Sequence, residues 1–432
     1  MKPADRESAG SKLQHGGMRV FMYPPERFSL YAGCDKARAP TYKYAHGLFL
    51  IERLRKHPWR VASQADADIA VVPMLVDWLV RGFCADPVTG RRDQPISRLL
   101  IARHLANASS IVNHSSQLRH VIVLQDYAAM KVRLALREAF PNLTLAFGVQ
   151  SDTAYTHPHW ALCQFGIGFT SVVDMLTKRS PFTKRPWSSV GLAESSASVD
   201  QSELVLRTID TDQPRSYLLE FSGGLLGIQH QFHHDRMTFW NASHAALEGR
   251  PIFVVTHNRG TLSAPSCSLA AASGTDCHRY PNFTVRDCAG THDTAFCHFK
   301  RYSIQQSQRY RSLSNFSIVF HGDDFGGDRV INAIAAKEIP VIIGKESYEV
   351  LPFHGIVPWH ELALRIERDT FELAPATAVM KAIKSTVLDI PAVIQKRIEA
   401  HWPDLLWSHS TSRVEQNMLR AAARVKCSSQ MA

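Results

Sequence analysis

Residues 314–353 read SNFSIVFHGDDFGGDRVINAIAAKEIPVIIGKESYEVLPF. Phe316-Ser317-Ile318-Val319-Phe320 is a short apolar run, His321 to Asp328 a turn rich in glycine and aspartate, and Arg329 to Lys337 an apolar-periodic helix. Ile339 to Ile343 then reads as a second buried strand. Strand, loop, helix and strand in this order predict a parallel pair joined by a right-handed crossover, so the chain is α/β. In such a unit the loop after the first strand opens at the carboxyl edge of the sheet, where the free amides of a helix start face the ligand crevice.

An anion, most naturally a phosphate, fits that edge. Gly322, Gly326 and Gly327 let the backbone approach closely, and Asp323 or Asp328 can cap the helix. Arg329 offers a bidentate fork to a diphosphate from the first turn. The same pattern fits an ordinary capped turn whose arginine pairs with a neighbouring aspartate.

These residues resemble the exostosin family of glycosyltransferases, whose nucleotide-sugar half carries S-x-F-C-L-x-P-x-G-D, an arginine after four residues, D-A-I-x-x-G-C-I-P-V-I and later Y-x-L-P-F. Ser314, Phe316, Gly322-Asp323, Arg329, Ala333-Ile334, Ile339-Pro340-Val341-Ile342, Tyr348 and Leu351-Pro352-Phe353 match. Phe320 stands for the proline, Ser317 for a cysteine, Asn332 for the acid before Ala-Ile and Lys337-Glu338 for Gly-Cys. The resemblance implies the GT-B architecture, two Rossmann-like domains with parallel sheets facing a cleft. It also implies inverting transfer from a nucleotide sugar, most naturally a UDP-sugar, to a glycan acceptor, with no metal or other cofactor required. On that reading Arg215, Arg329 and the glycine loop hold the diphosphate, and Asn332 meets the ribose hydroxyls.

Working outward, Met18 to Tyr23 reads as the first strand, and Thr41 to Lys56 as a helix before the strand within Ser63 to Pro73. Tyr44, Phe49 and Ala67-Asp68-Ile69 with Val71-Val72-Pro73 resemble the family's amino half. Asp66-Ala67-Asp68 has the D-x-D spacing of a metal clamp but lies in a helix-to-strand loop without a third oxygen ligand, so it is not read as one. Ser97 to Val112 is a helix with Leu99, Leu100, His104, Leu105 and Ile111 on one face. Asp126, just past the strand Val121 to Leu124, is placed as the catalytic base or, equally in keeping with its position, as a helix cap. Arg215 to Gly224 matches the family's R-x-x-L-L-F-F-x-G except that Glu220 stands for phenylalanine, and Gly223 and Gly224 can bring backbone near the donor phosphates. His230 to Asp235 has no partner motif for a metal site, and the cysteine spacings in 257–300 suit two local disulfides better than zinc. The expected organisation is a leader to residue 17, an acceptor-side domain at 18–186, a linker at 187–212, a donor domain at 213–385 with a Cys-rich insertion at 257–300, and closing helices at 386–432 that pack back on the first domain.

Composition narrows the class. A net charge of +10 comes from dispersed Lys and Arg without a basic strip, which argues against a nucleic-acid binder. Six of nine asparagines stand in N-x-S/T sequons, Asn107, Asn113, Asn142, Asn241, Asn282 and Asn315. With eight cysteines this composition suits a secretory lumen. Asn315 abuts the strand and is set apart from the other five as a glycan site. The first 17 residues are polar, so a Golgi lumenal protein would be anchored by a segment outside this sequence. A hetero-oligomer with a related transferase is a partner the resemblance allows. The rival readings are a catalytically degenerate subunit or glycan-binding protein of the same fold, and a cytosolic nucleotide-binding protein.

Overall fold

The computed structural model describes residues 18–35, 46–80, 82–91, 97–112, 118–124, 130–140, 143–147, 164–166, 215, 217–222, 239, 252–255, 311–320, 327–344, 351–385, 390–407, 409 and 411–424. They build two five-stranded sheets. The first takes β1 (Val20–Met22), β2 (Ile69–Val71), β3 (Arg119–Leu124), β4 (Leu143–Phe147) and β5 (Gln164–Gly166) in sequential order. The second has the order β10-β9-β8-β6-β7, with β6 at Tyr217–Ser222, β7 at Ile252–Val255, β8 at Ser314–Phe320, β9 at Ile339–Ile343 and β10 at Leu364–Ile366. Every strand pair in both sheets is parallel. Two parallel α/β layers of this kind are the two halves of the GT-B architecture.

Buried parallel strands carry continuous apolar runs because helices cover both faces. His120 to Leu124 in β3 and all of β9 are buried accordingly. Helices α1 (Ser29–Ala32), α2 (His46–Leu54), α3 (Val76–Val80), α4 (Arg98–Ile111) and α5 (Met130–Ala139) belong to the first half. Ser97 caps α4 by accepting from the Leu100 amide. Leu100, His104 and Leu105 face the core as expected and Ile111 packs against it, whereas Leu99 is 60% exposed and Ile101 is buried instead. In the second half α6 (Gly327–Ala335) joins β8 to β9 and begins two residues before the apolar periodicity does. Residues 368–385 form two helices, α8 (Arg368–Leu373) and α9 (Pro375–Ser385), with α7 (Trp359–Leu362) before them. Pro375 has no N–H to continue the first helix, and Ala374 before it, at φ −154° and ψ 75°, has left the helical region.

The chain then runs through α10 (Ile390–Ala400), α11 (Trp402–Leu405) and α12 (Val414–Arg424). Trp402 Nε1 donates to the Ile334 carbonyl at 2.8 Å, which ties α11 to the end of α6. A few residues on, Arg53 of α2 donates to the Trp407 carbonyl and pairs with Glu415 at 3.0 Å. Arg119 donates to the Ala422 carbonyl, and Arg420 lies over Trp59 at 5.4 Å. The crossing is knotted at Asp404, whose carboxylate accepts two bonds from Arg413 at 2.8 Å, one from Asn417 at 3.1 Å and one from His401 at 3.1 Å. These donors hold Asp404 below its usual carboxylate range despite the burial that opposes them.

Candidate functional site

The second sheet contains a topological switch. From β6 the chain goes outward to β7, then returns to the other side of β6 as β8 and continues to β9 and β10. In open α/β sheets ligands bind outside the carboxyl ends of the strands where this reversal occurs. The register Tyr217↔Ser314, Leu219↔Phe316 and Glu220↔Ser317 brings the carboxyl ends of β6 and β8 level. Ser222 closes β6 and Phe320 closes β8 at this crevice, and Gly223 and Gly224, and Gly322, Asp323 and Gly326, come next along the chain. Those five residues, with Asp126, lie outside the described residues.

Gly327 is the first residue of α6, so the amino end of α6 follows the second of these segments. Val330, Ile331, Ala333 and Ile334 are essentially fully buried and fix the helix on the sheet. Arg329 stays partly exposed in the first turn, and Asn332, 6% exposed, is nearly one turn further on. Arg329 thus stands in the turn that follows the crevice, and Asn332 lies buried one turn behind it.

Arg215 does not join them. Its guanidinium donates to the Ser314 carbonyl, at the first residue of β8, and at 3.1 Å to the Ala336 carbonyl beyond α6. Both acceptors lie at the amino edge of the sheet. β8 has seven residues, which at about 3.3 Å each separate that edge from the glycine segments by ~20 Å. The assignment of Arg215 to the diphosphate is therefore corrected: it is a partly buried clamp on backbone carbonyls, and burial lowers its pKa although Glu338 opposes this.

The positions that depart from the family pattern have visible structural duties. Phe320 is 1% exposed and packs on Phe221, Phe239 and Phe371 at ring distances of 5.3, 5.7 and 5.7 Å. Lys337 stands at φ 56°, the left-handed position after a helix that glycine ordinarily takes. Its ammonium pairs with Glu399 at 3.2 Å and lies 5.1 Å over the Trp402 ring. Glu220, Ser317 and Glu338 gather around Arg311 inside the same domain. No periodicity in the sequence announces that cluster, since its members come from three separate segments.

The remaining candidates divide. Asp68 accepts from the Arg19 amide at 2.7 Å and pairs with its guanidinium at 3.2 Å, before the start of β2 and away from the strands' carboxyl ends. Asn107 sits inside α4, and its amide oxygen accepts from the Ser29 N–H at 2.8 Å. One turn earlier His104 Nδ1 meets Ser29 Oγ at 2.8 Å, and burial pushes the His104 imidazole down to about 4. The Asn107 amide oxygen thus joins α1 to α4, and the bond does not involve the amide nitrogen that a glycan would take. Asn113, Asn142, Asn241 and Asn282 lie outside the described residues, as do His230 to Asp235 and residues 257–300. Asn315 is a half-buried residue of β8. Cys34 and Cys84 form a disulfide that the sequence reading did not pair. Among the described residues no group of His, Cys, Asp and Glu is placed to hold a metal ion, and no helix is long and apolar enough to cross a membrane.

The family model for the Exostosin GT47 domain matches residues 14–381. No curated protein matches the chain. Among solved structures, a trehalose-6-phosphate phosphatase N-terminal domain from Candida albicans is 8% identical, with 95% of this chain and 97% of that one covered at a TM-score of 0.41. A sucrose-phosphate synthase from Thermosynechococcus elongatus is 11% identical, covering 94% and 98% at a TM-score of 0.39. An α,α-trehalose 6-phosphate synthase from Burkholderia multivorans is 13% identical, covering 76% and 74% at a TM-score of 0.38. Scores this low carry neither an activity nor a substrate to this chain.

Proposed function

The chain belongs to the exostosin GT47 family of glycosyltransferases, and on that premise we propose that it moves a sugar from a nucleoside diphosphate donor to a glycan with inversion at the anomeric carbon. The observation that carries this reading is the switch between β6 and β8, because it directs both glycine-bearing segments and the first turn of α6 to one crevice. The donor's diphosphate takes the α6 amino end and Arg329, and Asn332 faces the ribose.

An inverting displacement needs a base for the acceptor hydroxyl and stabilisation of the departing diphosphate. Asp126, two residues past the end of β3, is assigned the first role, on the half of the molecule that faces the acceptor. Arg329 and the backbone amides take the second. A UDP-sugar is the donor and a polysaccharide, proteoglycan or glycoprotein glycan the acceptor. Reaction in the Golgi lumen accords with the sequon density and with the Cys34–Cys84 disulfide.

A second reading, a donor-silent subunit, draws on Asn332, which stands where the family carries an acid. Calorimetric titration of the purified chain with UDP, GDP and their sugars separates the two. Binding of one nucleotide in the micromolar range, lost in Arg329→Ala and strengthened in Asn332→Asp, supports the transferase. A folded chain that binds none of them removes it.

A further inference from the structure

Two carboxylates share one guanidinium in the interior of the second domain. Glu220 of β6 and Ser317 of β8 are register partners, and Ser317 Oγ donates to Glu220 Oε2 at 2.8 Å. Arg311, just before β8, places Nη2 3.6 Å from Glu220 Oε1 and Nη1 3.7 Å from Glu338 Oε2. Glu220 and Glu338 are both 0% exposed, Ser317 is 2% and Arg311 5%. Arg215 also acts on Glu338, but its N–H groups are directed at the Ser314 and Ala336 carbonyls. The adjacent Lys337 points away, to Glu399 and Trp402.

The two carboxyls are not equivalent. The guanidinium stands about equally far from both, but Glu220 also has a hydroxyl donor in Ser317. Glu338 faces the shared guanidinium at a distance too long for a hydrogen bond, and neither of its oxygens makes a hydrogen bond among the described residues, the nearby Ser317 hydroxyl being directed to Glu220. A fully buried carboxylate without donors is costly by several kcal/mol, and the charge of Glu220 beside it adds to that cost. As a neutral acid the same group needs only an acceptor, and the Ser317 hydroxyl lies beside it.

We propose that the folded chain carries Glu338 as a protonated carboxylic acid, a one-proton site inside the second domain that makes it more stable in mildly acidic than in alkaline solution. Burial first, and Glu220 second, raise Glu338 well above its unfolded value near 4.5, against the pull of Arg311, Arg215 and Ser317. Between the two values the folded chain binds one proton more than the unfolded chain, so the stabilisation is complete below about 4.5 and is lost as pH rises through the folded value. This inference is independent of the donor and of catalysis.

Equilibrium urea unfolding of the whole chain, followed from about pH 5 to pH 8, compares the native sequence with Glu338→Gln. The ratio of their unfolding constants is expected to change by up to about tenfold per pH unit above 4.5 and to level off once the folded value is passed, the native chain losing ground as pH rises. Parallel pH profiles overturn the proposal. Infrared spectroscopy of the native chain at neutral pH supplies an arm that needs no variant: a protonated-carboxyl stretch is expected, shifts on deuteration, and its absence overturns the proposal. Should Glu338→Gln fail to fold, Glu220→Gln removes the like charge and is expected to flatten the pH dependence; an unchanged slope counts against the assignment.

Discussion

Lys337 offers a test in which backbone and side chain pull in opposite directions. Its N–H donates to the Ile334 carbonyl at 3.1 Å and the Glu338 N–H to the Ala333 carbonyl at 2.9 Å, closing α6 with the chain at φ 56°. A β-carbon in that region costs about 1 kcal/mol, the margin by which glycine outdoes alanine there. The side chain offsets part of this. Its pairing with half-exposed Glu399 is screened and contributes a few tenths of a kcal/mol, and its place over the Trp402 ring about 0.5–1 kcal/mol. Lys337→Ala keeps the backbone cost and loses both contacts, so a loss of about 1 kcal/mol is expected. Lys337→Gly loses the same contacts but relieves the backbone, and should fall within about 0.5 kcal/mol of the native chain. Urea unfolding of the three chains reads the order directly. A glycine variant less stable than the alanine variant, the usual order inside a helix, refutes the reasoning.

Other expectations follow from the same geometry. Arg215→Met, which leaves two buried carbonyls without their charged donor, should cost about 3 kcal/mol of stability while the folded fraction keeps its UDP affinity, as urea unfolding and calorimetry of one preparation will read. Arg329→Ala should do the reverse, weakening UDP about 10-fold or more with little change in unfolding midpoint. Phe320→Ala opens a cavity among Phe221, Phe239 and Phe371 and is expected to cost about 3–5 kcal/mol by the same denaturation assay. Reduction of the Cys34–Cys84 bridge, which spans 50 residues, should lower stability by about 2–4 kcal/mol, seen as an earlier urea midpoint with dithiothreitol.

The β8-α6-β9 unit was legible because its evidence is local: two apolar runs, a glycine turn and a helical period lie within one stretch. The α/β class follows from that stretch alone, and its residues also carry the resemblance to the family. Arg215 was misplaced for a different reason. A motif gives order along the chain, whereas the edge of a sheet is decided by register, and only the pairing Tyr217↔Ser314 shows that Arg215 stands at the wrong end. The strand order itself, with its switch beside β6, cannot be read from one sequence, because apolar strands do not name their neighbours. Leu99 shows a finer limit: an apolar residue in a helix's first turn can face solvent even where the rest of its stripe is buried.

The departures from the family pattern, taken singly, look like decay, and the fold sorts them by location. Glu220, Ser317 and Glu338 are tied to one another through Arg311, so the apolar and thiol groups they replace have been exchanged for a connected polar set. Phe320 completes an aromatic cluster, and Lys337 exchanges glycine's backbone freedom for contacts with α10 and α11. Compensated packing of this kind is what a chain under selection to stay folded retains, and it bears on stability rather than on donor chemistry. Among the described departures, Asn332 alone stands on the helix that enters the crevice. An amide in place of a carboxylate gives up the charge but keeps an acceptor, a difference of about 1 kcal/mol per hydrogen bond to a ribose hydroxyl, or roughly fivefold to tenfold in affinity. A loss of that size shifts the preferred donor concentration or the choice among donors, and is too small by itself to silence the diphosphate site proposed at Arg329 and the start of α6.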